Sequence, residues 1–386
     1  MKALLILSVL LMLLSLLTLF KAPVGVLWIP ALFAAEWGHY LALASVLLAI
    51  VVSRFPGSGR IGFVLALIAA VLFMTPVLRA IPIAQKLPEE CRQAFGSVTP
   101  IGTPGAAPRP GPLSFLDLYR GVKSPSVRIS RYLYSSNHGQ DLNMDVYAPE
   151  QPTAPLPVVI TIHGGSWKSG DNSELSALNH YLAARGYLVA AVNYRLAPRW
   201  TFPAARDDVF EAIAYLKSHA RELNLDPRRI AIIGRSAGGQ IALATAYARQ
   251  DPSIRGVVAF YAPNDLIFGY SVPDSPLIMD SNKLIEDYLG GTPTQLESVY
   301  EAASPIRLVG KTTPPTLMIH GQLDNMVWPV HEDRLSKRLA EAGRPHLYLR
   351  LPWATHGCDA NFSGPSGQLS TYAIERFLAA VMQERG

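Results

Sequence analysis

Cysteine is nearly absent from this chain: Cys91 and Cys358 are its only two among 386 residues, and neither has another ligand-forming pair beside it. That excludes a disulfide-stapled small domain and a cysteine metal cluster, and the spacing gives no argument for pairing the two. Charge is also scarce. Lys, Arg, Asp and Glu make up 16% of the residues, and the net charge of +5 comes from basic residues scattered without a run. A nucleic-acid-binding arm is therefore excluded, and the charge reads as solubility and a bias toward a membrane surface. Internal repeats are absent too. What is abundant is apolar: 49% of the chain is hydrophobic, too much for an ordinary soluble enzyme, with the excess in residues 1–80.

Residues 3–20 and 61–78 are uncharged runs, each long enough to cross a bilayer core of about 30 Å as a helix. A secretory signal would have a shorter apolar core and a small-residue cleavage site directly after it, and the first run has neither. Between the two, Val24–Val52 is interrupted only by Glu36 and His39. It reads either as one tilted span over 28–52 with a polar step, or as a shallow apolar segment followed by a span from Tyr40. Trp37 and Tyr40 beside the ionisable pair favour an interfacial belt over a functional pair at membrane depth. Three spans are expected, in a multi-pass protein of the cell membrane with the lipid bilayer as a partner. The positive-inside rule turns Lys2, Arg54 and Arg60 to the cytoplasm against Arg79, Lys86 and Arg92 just past the third run, which Glu89 and Glu90 partly balance, and everything after Arg79 is then expected outside.

Residues 81–126 read as a linker, because Pro, Gly, Ser and Thr crowd Thr99–Pro112. Within it, Leu113–Tyr119 has the pattern of a short amphipathic helix. From Val127 strands and helices alternate, which argues for a mostly parallel sheet. Apolar and β-branched runs mark strands over 127–135, 142–147, 158–162, 188–194, 230–233, 257–261, 316–320 and 346–351. Residues 262–315 form an irregular, Pro-rich insert. Eight strands with helices between them, and a serine turn after the fifth, is the order of the α/β-hydrolase fold, expected here over 127–386.

The serine turn is the centre of that reading. The run Ile230–Ile233 stops at Gly234, Ser236 follows, and Gly238 and Gly239 open a helix. This is the G-x-S-x-G elbow, in which small neighbours permit a sharp turn that projects the serine oxygen from the sheet. A serine nucleophile needs a base, an acid that orients the base, and donors for the oxyanion. The fold requires the chain order Ser, then acid, then His. Asp324, in His320-Gly-Gln-Leu-Asp324 after the seventh strand, and His356, in the loop after the last, meet it. Backbone N–H groups of Ala237 and of the Gly164–Gly165 loop after the third strand are the expected oxyanion donors, with Gly165 and Ser166 left as alternatives for the second.

Each member has a rival. Asp265 ends the sixth strand and reads better as the cap of a turn into the insert. His320 and His331 precede the final strand and read as packing or supporting residues. His163 is better placed to brace its own loop than to act as base, and Cys358 reads as an ordinary small residue.

Taken together, His163-Gly-Gly-Ser-Trp167 with Gly170-Asp171, Asn193-Tyr-Arg-Leu-Ala-Pro198, Phe202-Pro-Ala204 with Asp208, and Gly234–Gly239 resemble the carboxylesterase branch of the α/β-hydrolases. That branch includes feruloyl-esterase-like, kynurenine-formamidase-like and hormone-sensitive-lipase-like enzymes. The resemblance covers about residues 127–386. It implies a Ser-His-Asp hydrolase for small-molecule carboxylic esters that needs no cofactor and no metal. Two positions depart from the lipase-like pattern: Ser166 stands where a third glycine is usual, and Arg235 where Asp precedes the serine. Both shift the resemblance toward the feruloyl-esterase-like and formamidase-like groups. The expected function is a membrane-anchored serine esterase. Alternatives are an amide or peptide hydrolase of arylformamidase or aminopeptidase type, and a lipid esterase. A non-catalytic scaffold is disfavoured because no member of the triad is missing.

Overall fold

The β-branched runs pair into one eight-stranded sheet in the computed structural model, which describes residues 2–383 apart from 104, 153 and 175. Its strands are β1 (Val127–Ser135), β2 (Leu142–Pro149), β3 (Leu156–Ile162), β4 (Leu188–Val192), β5 (Leu225–Arg235), β6 (Ile254–Phe260), β7 (Thr316–Gly321) and β8 (His346–Leu351). They lie in the order β1-β2-β4-β3-β5-β6-β7-β8. β2 pairs antiparallel with β1 and β4, and the other neighbours are parallel. Every residue of β3 is buried, as expected for a parallel strand covered on both faces. This is the α/β-hydrolase sheet, with the elbow after β5. The end of the predicted catalytic domain, 384–386, lies outside the described residues.

Helices are α1 (Lys2–Ser15), α2 (Trp28–Glu36), α3 (Gly38–Val52), α4 (Ser58–Phe95), α5 (Phe115–Arg120), α6 (Ser176–Ala184), α7 (Ala204–Ser218), α8 (Ala237–Ala248), α9 (Leu266–Ser271), α10 (Ser281–Leu289), α11 (Glu297–Ala303), α12 (Val330–Glu341) and α13 (Pro365–Val381). Alternate strand residues feed two cores. Ile160 and Ile232 pack with α7, α8 and α12 on one face, and Val159 and Ile233 pack with α6 and α13 on the other. The insert over 262–315, expected to be irregular, instead contains α9, α10 and α11, the first two capped by Asp265 and Asp280.

The N-terminal region departs from the three spans expected over 3–20, 28–52 and 61–78. Among the described residues one helix, Gly59–Phe95, is long and apolar enough to cross a bilayer, and Lys2–Thr18 is a shorter apolar helix. The run over 24–52 is not one tilted span. α2 and α3 meet at Trp37 with their axes bent by 83°, and the pair counts as a second crossing only if taken as one broken span. The polar residues inside that run explain the bend. The buried Glu36 carboxylate accepts the Ser366 hydroxyl at 2.5 Å, and His39 Nε2 lies 2.9 Å from the Leu118 carbonyl oxygen. Both are drawn toward the rest of the chain, so they act as anchors rather than as a free interfacial belt.

α4 also runs through what was expected to be linker. It continues past residue 81 to Phe95, and its Ala80, Leu87 and Cys91 belong to the same core as α13 and β8. The first proline in it, Pro76, leaves the Leu72 carbonyl without its helical donor. The hydroxyls of Thr75 and Thr18 donate to that carbonyl at 2.6 and 3.1 Å, which satisfies it. After Gly96 the chain is irregular but held: Arg109 is buried, its backbone N–H bonded to Glu375 and its guanidinium to Gln368. α5 docks through Leu118 and leaves Phe115, Leu116 and Tyr119 exposed.

Candidate active site

The sharpness of the elbow is visible in its backbone. Ser236 sits at φ 52°, ψ −122° between β5 and α8, a conformation that non-glycine residues rarely adopt. A Cβ on Gly238 would lie 2.2 Å from the His163 carbonyl oxygen, so only glycine lets the loop after β3 close against the elbow. Neighbouring strand β6 holds the turn, since its Phe260 carbonyl accepts the Ser236 N–H at 2.9 Å.

Strand ends then bring the expected partners together. Ser236 Oγ lies 3.0 Å from His356 Nε2, and His356 Nδ1 lies 2.7 Å from Asp324 Oδ2. Asp324, fully buried after β7, is oriented by the N–H groups of Met326 and Val327 on its other oxygen, at 2.8 and 3.0 Å. Its Oδ2 is shared with His320 Nε2 at 3.0 Å, and His320 Nδ1 reaches Glu332 Oε2 at 2.6 Å. A buried relay thus runs Glu332–His320–Asp324–His356–Ser236. Burial disfavours the His320 cation, but Glu332 and Asp324 outweigh it and hold its pKa up at about 10. Burial likewise works against the Asp324 carboxylate, but His356 and His320 keep its pKa well below the usual range.

Two residues in this neighbourhood, Asp359 and Glu332, escaped the sequence reading, and a third, Arg235, was noted there only as a departure from the lipase-like pattern. Arg235, unusual before the serine, is buried and pairs with Asp359, whose other oxygen accepts the Tyr261 hydroxyl at 2.5 Å. That pair ties the end of β5 to the loop carrying His356. Glu332 sits in the first turn of α12, where an acid is ordinary for the helix dipole, so nothing in the sequence separates it from such a residue. Asp359, by contrast, was findable as the partner that a buried arginine demands.

At the oxyanion position the structure corrects one expectation. The Gly164 N–H donates to Glu174 Oε2 at 2.7 Å and is already engaged. Gly165 and Ser166 follow in a tight turn, with Ser166 and Trp167 at φ 52° and 60°, and Ser166 lines the pocket above Ser236. Ala237 is the first residue of α8, where backbone N–H groups have no partner within the helix. The rivals settle as supports. Asp265 caps α9 and pairs with Arg334. His163 stacks on Tyr194 at 4.3 Å, and His331 is buried beside the Asp265 backbone N–H. Cys358 and Cys91 are both free and buried.

Above Ser236 opens a cavity of about 590 Å³, counting its mouth, walled by Leu266, Val272, Met279, Leu284, Ile285 and Met326. Asp274 is the acid in that wall, its pKa pushed up to about 7 by burial and by the charge of Asp324. An apolar cleft with a few convergent polar groups is the usual form of a small-ligand site.

Comparison with known proteins follows the same lines. Residues 144–339, a little over half the chain, match the family model BD-FAE. The chain belongs to the BD-FAE family. With it goes membership of the carboxylesterase branch of the α/β-hydrolases, as the sequence motifs implied. The chain is 30% identical over 296 residues to the probable carboxylic ester hydrolase LipM of Mycobacterium tuberculosis, covering 72% of this chain and 66% of that protein. To esterase LipC of the same organism it is 31% identical over 275 residues, covering 67% and 66%. It thus spans slightly less than two thirds of these curated relatives. Among solved structures, a Pyrobaculum calidifontis esterase superposes with a TM-score of 0.58 at 22% identity, covering 79% of this chain and 94% of its own. A bacterial heroin esterase gives 0.59 at 23%, covering 78% and 100%. At such identities the likeness concerns the fold.

Proposed function

We propose that this BD-FAE member is a serine hydrolase that cleaves carboxylic esters through an acyl-enzyme. The observation that carries the reading is the Ser236–His356–Asp324 relay at 3.0 and 2.7 Å. His356 Nε2 takes the Ser236 proton as Oγ attacks the ester carbonyl. Asp324 holds the ring and stabilises the imidazolium that forms. The N–H groups of Ala237 and of Gly165 or Ser166 stabilise the oxyanion; losing one such donor typically costs about 2.7–4 kcal/mol of transition-state stabilisation. The acyl C–O bond then breaks, and His356 returns the proton to the leaving alcohol. A water, deprotonated by the same histidine, attacks the acyl-enzyme and releases the acid.

We also infer that the N-terminal helices anchor the domain in a bilayer. Ser8 lies beside Gly62 and Thr18 beside Leu72, so α1 runs parallel to α4, while Val52 beside Gly59 and Gly38 beside Phe73 make α3 antiparallel to it. In this arrangement Lys2, Arg54 and Arg60 share the end of the bundle remote from the sheet. The carboxylic ester hydrolases among the relatives support the chemistry.

The test is turnover of short p-nitrophenyl esters by the full chain in detergent, with fluorophosphonate labelling of Ser236. Ser236→Ala is expected to abolish labelling and lower kcat by on the order of 10⁶-fold. Undiminished turnover in that variant would sink the proposal. Parallel assays with an arylformamide and an aminoacyl amide decide between ester and amide specificity.

A further inference from the structure

The match to the family begins at residue 144, yet the active site is completed by residues far upstream of it. Trp28 Nε1 donates to the His356 carbonyl oxygen at 2.9 Å. The backbone carbonyl of Glu36 accepts from Asn361 Nδ2 at 2.8 Å, and the Glu36 carboxylate holds the first turn of α13 through Ser366. One face of α2 is therefore docked on the loop that carries the candidate base. Its opposite side is bare and apolar: Val26, just before the helix, is 83% exposed, Ile29 57% and Phe33 45%.

The second observation concerns the wall of the pocket. Residues 272–279 of the insert form a strap that touches the same N-terminal segment. The Gly25 N–H donates to the Leu277 carbonyl at 2.8 Å, and a Cβ on Gly25 would lie 2.6 Å from the Ile278 carbonyl oxygen. The inner side of the strap lines the cavity through Val272, Asp274 and Met279. Its outer side shows Leu277 at 68% exposure, and Val272, at the rim of the cavity, is 45% exposed. The bare side of α2 and the mouth of the pocket are thus joined in one apolar surface.

The third observation fixes the level at which this surface lies. α2 is bent by 83° from α3, so if α3 stands across a bilayer, α2 lies along its surface with the apolar face inward, the posture of an interfacial helix. The Lys21 ammonium sits 4.4 Å over the ring of Trp328, itself part of the pocket wall. Tryptophan and lysine are the residues that settle at the headgroup level.

We propose that the pocket draws its substrate from the bilayer: α2 and the strap 272–279 rest in the headgroup region and form the threshold over which the acyl chain of a lipid ester passes to Ser236. This rests on the ester-hydrolase reading above and names its substrate class. In the reaction one lipid ester and one water give a fatty acid and a lipid alcohol. The alcohol carries the proton returned by His356.

The experiment uses the full chain reconstituted in phosphatidylcholine vesicles, with two substrates. One is p-nitrophenyl acetate, which is water-soluble, and the other is dioleoylglycerol dissolved in the bilayer and read by fatty-acid release. The variants are Val26→Asp and Leu277→Asp, at exposed positions outside the pocket lining, with Leu277→Trp as the conservative partner. Fluorophosphonate labelling of Ser236 at the wild-type rate verifies that each is folded. The aspartate variants are expected to keep acetate turnover within twofold and to lose tenfold or more of dioleoylglycerol turnover, which Leu277→Trp retains. Equal effects on both substrates, or a wild type active on acetate but inert on the bilayer ester, would overturn the proposal. A wild-type dimer in detergent that the aspartate variants split into monomers would also overturn it, because the patch would then be a self-contact. A wild type inert on both substrates would instead remove the ester-hydrolase reading itself.

Discussion

His320 stands between two carboxylates in a space that excludes water, and its effect on the relay follows from charge alone. With its pKa near 10 it is a buried cation at neutral pH that offsets Asp324 and Glu332. Removing one partner of such a buried set leaves a charge uncompensated, so His320→Leu is expected to destabilise the domain by about 3–5 kcal/mol. The pH dependence has a definite sign. An unfolded histidine titrates near 6.5, so the contribution of His320 is complete below about pH 6.5 and drains away as pH rises toward about 10. Asp324, depressed in the fold, contributes above about pH 4 and is lost on further acidification. Thermal unfolding followed against pH should show the alkaline loss in the wild type and a flatter alkaline limb in His320→Gln. An unchanged limb would mean that His320 is not the cation the geometry implies.

At the scale of elements, α4 carries two environments in one helix. Val64, Ile68 and Val71 are exposed and apolar in its first half, while Leu87 and Cys91 are buried in the core beneath α13 in its second. A buried leucine cut to alanine typically costs about 2–5 kcal/mol, so Leu87→Ala should lower the unfolding temperature of the whole catalytic domain. A flexible linker in that stretch would have tolerated the change. Composition had pointed to a linker because Pro, Gly, Ser and Thr crowd Thr99–Pro112, and Pro82 and Pro88 lie inside the stretch that the helix in fact covers. The packing of Ala80, Leu87 and Cys91 against the domain compensates for those prolines, and no local pattern contains that information. The strands, in contrast, were legible in number and order, because a central strand buried on both faces is a continuous apolar run, although their ends were not: the fifth, expected over 230–233, runs over Leu225–Arg235. The helices of the insert were hidden for the opposite reason: they are short and lack a long apolar period.

For the whole molecule, the three apolar N-terminal elements and the sheet have to be oriented together. α1 and the first half of α4 run parallel and α3 antiparallel, which leaves Lys2, Arg54 and Arg60 at the end away from the catalytic domain. Basic residues favour the cytoplasmic side, so the domain is expected outside. Alkaline phosphatase fused after Gly96 should be active and fused after Gly57 inactive; the reverse pattern would put the domain in the cytoplasm.

Sequence by itself determined the kind of chemistry this chain is built for. A nucleophile, an acid and a base that stand at the ends of β5, β7 and β8 must appear in that chain order, and the elbow needs its glycines wherever it occurs. Ser236, Asp324 and His356, the proposed nucleophile, acid and base, were therefore readable without coordinates, and they lie within hydrogen-bond reach of one another. Tertiary structure decided the rest, because it depends on contacts between residues remote in the chain. It showed that the Gly164 N–H is already taken by Glu174 and that Asp324 serves two histidines. It also decided between the two readings of the apolar run over 24–52, one tilted span or a shallow segment followed by a span: the run is a bent pair, one half of which meets the His356 loop through Trp28. Hydrophobicity counts how many residues avoid water. Where the chain bends to bury Glu36 and to meet a loop more than three hundred residues away is decided by packing.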